Sequence, residues 1–414
     1  MDNGKKTNNN TSVIVSGRNY GNILTMVRAL GQAGYDVEVL RVFKSKPRWF
    51  NVFGKMKPES RSKYVKKYSE CIAGGNSVNV VKALINMADQ GEKKLIIPVD
   101  DYIACIIDEE LDSLKEHFIL PNIGETSGQI SFFMNKDEQK KAAVLSDLPV
   151  LKSVLIKSEG GHFVIPEDVV YPCFVKPNVS MKSTKAKMAK CEDKESLNRV
   201  LTSYAEKEDF EMLVEEFAEI KYEYSVLGVC THEGIAAPGC FKVIEGGHRE
   251  RKGVTIMGEL MPGNSLQPII EKCKEFIKAL NYTGLFDVDL IETADGSIYF
   301  VELNFRAGAS MQAFTDVGIN LAGMLADNVI KGIPIDTDCK VEDSGKRFIS
   351  EKVLLEEYAR SDADKAQVNR LMNEADIFFI KDENDAKPYN YFKKFFIAAS
   401  LMRIPYRVRD RIRK

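Results

Sequence analysis

Phe286-Asp-Val-Asp-Leu-Ile-Glu-Thr-Ala-Asp-Gly-Ser-Ile-Tyr-Phe-Val-Glu-Leu-Asn-Phe-Arg306 reads as two adjacent strands. Leu285 to Glu292 is the first, Ala294-Asp-Gly-Ser297 the turn, and Ile298 to Asn304 the second. Asp-Gly between alternating apolar runs is a hairpin signal. The two-residue period puts Asp287 and Asp289 on one face, and likewise Glu302 and Asn304, with Arg306 just past the strand end. Any one of these carboxylates, taken alone, is best read as facing water. Taken together they are not. Asp and Asn are poor strand formers, and several of them among Phe, Val, Leu and Ile are costly unless they bind something. Hard oxygen donors suit Mg²⁺, which shares its shell with phosphates. A guanidinium beside them suits the charge that develops in phosphoryl transfer.

Outward from this hairpin, the chain is that of a water-soluble protein. Its 414 residues are too many for one small core, so two or three packed units are expected. Hydrophobic content of 44% and charged content of 29% are ordinary for globular proteins. A net charge of −2 argues against a nucleic-acid partner. Eight scattered cysteines without CxxC, and four histidines without ligand spacing, leave no zinc signature and suit a reducing compartment. The first ten residues are polar, and no run approaches the ~20 apolar residues that span a bilayer. A cytoplasmic enzyme is expected.

Ser12 to Ser16 reads as a buried strand, Ile23 to Ala33 as a helix and Gly34 to Val42 as the next strand. Leu95 to Val99 continues the α/β alternation. Gly17 and Gly21 stand where a dinucleotide fingerprint would begin, but the full GxGxxG is absent. Asn122 to Ser131 reads as a linker, and Asp137 to Leu148 as a polar helix. Strands follow around Val150–Ile156, Tyr171–Lys176, Leu213–Phe217 and Tyr222–Gly228, and helices at Pro268–Leu280 and Asn320–Lys331. From Tyr391 to Lys414 aromatic and aliphatic residues mix with basic ones. That tail is read as a basic helix docked on the body, with an anionic membrane surface as the other reading.

Several elements in this order resemble an ATP-grasp ligase of the carboxylate–amine type. Met134-Asn-Lys136 opens a helix that ends near Leu148-Pro-Val150, and Tyr171-Pro-Cys-Phe-Val-Lys-Pro177 is similar to the family's phosphate-lysine strand. Leu213-Val-Glu-Glu-Phe217 resembles the adenine-side hinge, and Tyr222-Glu-Tyr-Ser-Val226 the strand whose glutamate holds the ribose. Asp289, Glu302, Asn304 and Arg306 resemble the metal and phosphate end. The likeness covers about 125–332. One departure is the loop Asn178-Val-Ser-Met-Lys-Ser-Thr-Lys185, which lacks the family's glycines.

The resemblance implies an α/β and α+β architecture. Residues 1–11 would be a disordered leader and 12–122 a Rossmann-like domain ahead of the ATP-grasp. The small lobe would be 123–211 and the large lobe, with the metal site, 212–335. An extension at 336–390 would pack on the body, and 391–414 would be the basic amphipathic tail. It implies ATP held by Lys136, Lys176, Ser183, Glu215, Glu216, Phe217 and Glu223. Mg²⁺ or Mn²⁺ would sit on Asp289, Glu302 and Asn304. Arg306 would act in catalysis, with Lys242 and Arg251 from a basic loop over 242–252. The expected reaction joins a carboxylate to an amine through an acylphosphate, releasing ADP and phosphate. A carboxylase, a phosphoryl transferase or a non-catalytic nucleotide binder on the same fold are the alternatives. A homodimer, and contact with a membrane or envelope precursors through 391–414, are compatible with it.

Overall fold

The computed structural model describes residues 12–46, 56–89, 91–179, 188–247, 254–342, 345–360 and 363–402. Among these, three sheets form. The first is parallel, with β1 (Ser12–Gly17), β2 (Asp36–Phe43), β3 (Val65–Ile72), β4 (Lys94–Pro98) and β5 (Phe118–Ile119) in the order β3-β2-β1-β4-β5. Val13, Ile14 and Val15 are buried on both faces of β1, as a central parallel strand requires. The helix Tyr20–Gln32 covers one face, capped by the Asn19 side chain, which accepts from the Gly21 N–H.

The segment read as a linker is structured instead. β6 (Asn122–Ile123) pairs with Tyr282–Thr283, and Gln129–Phe132 forms a helical turn, because the chain must satisfy its backbone as it crosses to the next unit. The second sheet is antiparallel: β7 (Ser153–Lys157), β8 (Cys173–Pro177), β9 (Ala189–Cys191) and β10 (Glu211–Glu216), ordered β7-β10-β8-β9. The helix Lys194–Ala205 buries Leu197 and Leu201 against it.

The third sheet holds β11 (Ile220–Thr231), β12 (Gly234–Ala236), β13 (Cys240–Gly246), β14 (Thr255–Leu260), β15 (Tyr282–Thr293), β16 (Ile298–Asn304), β17 (Arg347–Ile349) and β18 (Ile377–Phe378). The quoted hairpin is β15–β16, and it pairs through β11 with the rest. One face, with Tyr224, Val226, Val288, Leu290, Phe300 and Leu303, packs on the helix Gln267–Ala279. The opposite face, at Leu227, Val229 and Leu285, shares a core with β1 and its helix.

Residues 336–390 are stitched into the fold more deeply than an appended extension would be. β17 pairs with β14 and extends the large sheet. Arg28, fully buried, donates to Asp385 and to the carbonyls of Phe379, Ile380 and Asp385. A Cβ on Gly21 would lie 2.3 Å from the Phe379 ring, so this helix face accepts the ring only because glycine is there. The last helix starts at Ala386, five residues before the expected tail, and Phe392 is buried in the shared core. The described start of the tail is therefore docked on the body. No helix among the described residues is long and apolar enough to cross a membrane. Residues 1–11 and 403–414 lie outside the described residues.

Candidate active site

β11 and β15 set the site because their register aligns unlike stretches. Ser225 is the partner of Asp289 and Leu227 of Asp287, while Asp289 and Glu302 face each other across the hairpin. A bulge after Asp289 lets β16 change register there, which keeps Glu302 and Asn304 beside the two aspartates. The face that is apolar at Leu227 and Leu285 thus turns polar at Ser225, Asp287 and Asp289.

The bonds within this set are specific. Ser225 Oγ donates to Asp289 Oδ1 at 3.0 Å, and Asn304 Nδ2 donates to Asp289 Oδ2 at 3.1 Å and to the Asp287 carbonyl at 3.3 Å. Arg306 Nη1 reaches Asp287 Oδ2 at 3.2 Å, and its Nε reaches Asp101 Oδ1 at 3.2 Å. Burial, and then the negative charges of Asp287 and Glu302, push the Asp289 carboxyl up to about 8. Burial likewise raises Asp287, against the pull of Arg306. Burial alone would weaken the Arg306 proton, but Asp101, Asp287 and Asp289 strengthen it.

This donor set fits a hard dication. Asp287 Oδ1 is a buried oxygen without a hydrogen-bond partner among the described residues. Asn304 spends its Nδ2 within the set, leaving an amide oxygen to give. Among the described residues, no three His, Cys, Asp or Glu side chains form a ready-made metal cage.

The helix Lys136–Leu145 links this acidic set to a basic one. Gln139 clamps it to β16, donating to the Leu303 carbonyl and accepting from the Leu303 N–H, both at 2.8 Å. Asn178, just after β8, accepts from the Lys136 and Asp137 N–H groups at the helix start. Lys136 then meets Glu302, and Lys140, one turn on, meets Glu215. Lys176 from β8 also reaches Glu215, at 2.6 Å. Burial would raise Glu215, but Lys176 and Lys140 together bring its carboxyl below the ordinary range. Burial lowers Lys176, and Lys140 and Lys136 push the same way against Glu215.

Several expectations change here. Glu215 is not placed to take an adenine amino group, because its carboxylate is enclosed by two ammonium groups on a central strand, not a solvated edge. Glu216 accepts from the Lys152 N–H, and its own N–H goes to the Lys152 carbonyl. Phe217 is partly open, with Lys190 Nζ 4.3 Å from its ring centre. Glu223 lies on the Ser225 face as an exposed residue, and partial desolvation by its neighbours raises its carboxyl. Lys242 is not brought to Arg306. It pairs with Tyr224 in register, its ammonium stacks 3.5 Å from the Tyr222 ring centre, and so it faces the other side of the sheet. Ser183 and Arg251 lie outside the described residues.

The sequence reading missed Lys140, Ser225 and Asp101. For Lys140 there was a usable signal: it stands four residues after Lys136, on the same helix face, whereas the neighbouring Lys141 pairs with Asp137 and Glu138 at the surface.

With this geometry in view, the comparisons are direct. Residues 141–311 match the family model of the ATP-grasp domain. A D-aspartate ligase from Enterococcus faecium (strain Aus0004) is 24% identical over 357 residues, covering 75% of this chain and 80% of that protein. The ADP complex of an N5-carboxyaminoimidazole ribonucleotide synthetase superposes with a TM-score of 0.57 at 18% identity, covering 80% of this chain and 79% of that one. An L-amino acid ligase from Bacillus licheniformis gives 0.56 at 13%, covering 78% and 74%. These likenesses establish a shared fold.

Proposed function

We propose that the protein is an ADP-forming ligase that activates a carboxylate with ATP and couples it to an amine. The observation that carries this reading is the adjacency of two buried sets of opposite surplus charge. Lys140 and Lys176 share one carboxylate, and on the same helix Lys136 reaches Glu302, beside Asp287 and Asp289 at Arg306. Surplus buried charge is costly unless a ligand neutralises it. A polyphosphate beside the lysines, with a dication on the carboxylates, neutralises both.

In this reading Lys176 and Lys140 exchange part of their contact with Glu215 for the phosphate oxygens of ATP, and Glu223 accepts from the ribose hydroxyls. Phe217 lies along the base. Asp289, Glu302 and Asn304 would hold Mg²⁺ or Mn²⁺, which when bound draws charge from the phosphate oxygens. Arg306, fixed by Asp101 and Asp287, stabilises the transferring phosphoryl group. The substrate carboxylate oxygen attacks the γ-phosphorus and ADP leaves with the bond's electrons. The amine then attacks the acyl carbon, phosphate leaves, and the nitrogen loses a proton. No protein nucleophile is needed, so positioning and electrostatics supply the acceleration.

ADP and phosphate release, assayed over a panel of acids and amines with and without bicarbonate, tests this. Amine-dependent turnover in one acid, with a hydroxamate trapped by hydroxylamine, supports ligation through an acylphosphate. Bicarbonate-dependent turnover would assign a carboxylase instead. ATP binding without turnover in any arm would leave a nucleotide-binding module.

A further inference from the structure

We propose that Arg18 binds an oxyanion of the acid substrate distinct from the carboxylate being activated, which makes that substrate a small dianion. This rests on the ligase reading above. The strand order β3-β2-β1-β4-β5 reverses direction between β1 and β4, and ligands of such sheets bind in the crevice beyond the carboxyl ends of the strands at that reversal. Arg18 is the first residue after β1, and Asp100 and Asp101 come shortly after β4. The two loops touch. A Cβ on Gly17 would meet Val99 Cγ2 at 2.2 Å and Asp100 Oδ2 at 3.1 Å.

The Arg18 guanidinium is pre-organised there. Asp100 is itself fixed as the cap of the helix Asp101–Glu109, accepting from the Ile103 N–H at 3.2 Å. It also accepts from the Arg18 backbone N–H and, at 3.3 Å, from Arg18 Nε. The Tyr102 ring lies under the guanidinium, 4.7 Å away. Backbone, Nε and one face are thus held, while neither Nη has a protein partner among the described residues and the side chain is 39% exposed. The unengaged edge is the one that binds an oxyanion through two parallel N–H bonds.

The neighbouring acid makes the placement specific. Asp100 holds Arg18 and Asp101 holds Arg306, each by an Nε–Oδ1 contact. Two successive residues therefore bring one guanidinium to the phosphoryl end and a second to the crevice. Lys352, whose Nζ lies 3.4 Å from Asn19 Oδ1, adds a cation to the same loop. A substrate reaching from one guanidinium to the other is recognised by two anionic ends, the far one a carboxylate or a phosphate.

Titration calorimetry with Mg²⁺ and ADP present tests this on the full chain. Succinate and aspartate probe the dicarboxylate arm, phosphoserine the phosphate arm, and acetate and alanine the single-carboxylate control. The expected result is that one dianion class binds about ten-fold or more tighter than the controls. Arg18→Gln should erase that preference, Arg18→Lys should restore part of it, and ADP binding and the melting temperature should stay as in wild type. Equal binding of dianions and controls, or a preference that survives Arg18→Gln, would overturn the proposal. Failure of the ligase reading shows elsewhere, as absent ADP release with every acid and amine.

Discussion

The two halves of the candidate site are built on opposite charge arithmetic. At the lysine end two ammonium groups surround Glu215. At the hairpin end several carboxylates surround Arg306. In each half the majority charges share the minority one: both Glu215 oxygens are taken by lysines, and Arg306 spends Nε on Asp101 and Nη1 on Asp287. The difference teaches which residues hold the fold and which are available to a ligand. Removing the minority residue strands like charges in the interior, whereas removing one majority residue leaves a balanced pair at Glu215 and fewer crowded carboxylates at Arg306. Glu215 and Arg306 therefore carry structure, and on the proposed function Lys176 and Asp289 are the cheaper ones to lose in stability and the dearer ones in activity.

The sharpest way to break this comparison is Asp289→Asn. Turnover should fall about 100-fold or more, while the ligand-free protein melts at a higher temperature because one of the crowded carboxylates is gone. A lowered melting temperature would refute the surplus. Next is Glu215→Ala, which leaves Lys140 and Lys176 facing each other. Denaturant unfolding should show a loss of about 3–5 kcal/mol, whereas Lys176→Met should cost far less stability and raise the KM for ATP about ten-fold. Equal destabilisation by both would erase the distinction between minority and majority charge.

A pH titration is the next smaller effect. Asp289 has a folded pKa of about 8, above its ordinary carboxylate value. The native state therefore holds a proton that the unfolded chain has already released. Stability from this group is complete below the unfolded pKa and is lost as pH rises toward 8. Melting temperature without divalent ions should fall across roughly pH 4 to 8, and Asp289→Asn should flatten that part of the profile. Smallest is Glu223→Gln, for which a KM rise for ATP of about three-fold with unchanged melting is expected. A large stability loss there would mean that Glu223 has a structural partner.

Much of this was legible in the residues. The hairpin, its turn and the shared faces of Asp287 with Asp289 follow from a two-residue period that a strand cannot evade. The bulge after Asp289 was not legible, since an extra residue in one strand leaves no mark on composition. Lys242 was misread because a basic loop names its charges but not the side of the sheet from which they project. Lys140 looked like helix surface because its buried partner, Glu215, is 75 positions away in the chain, and only the packing of the helix Lys136–Leu145 between two sheets joins them. The strand β17, three residues long, is too short to carry a pattern of its own.

The Arg28 contacts have a consequence for how the protein is made. Its guanidinium sits in the helix Tyr20–Gln32, yet Asp385 and the carbonyls of 379 and 380 that satisfy it are synthesised some 350 residues later. Until they arrive, the amino-terminal unit holds a cation that it can neither bury nor pair. The amino-terminal unit is therefore completed only once residues 379–385 dock on it, and a chain truncated before residue 379 should melt at a lower temperature even with every candidate site residue intact.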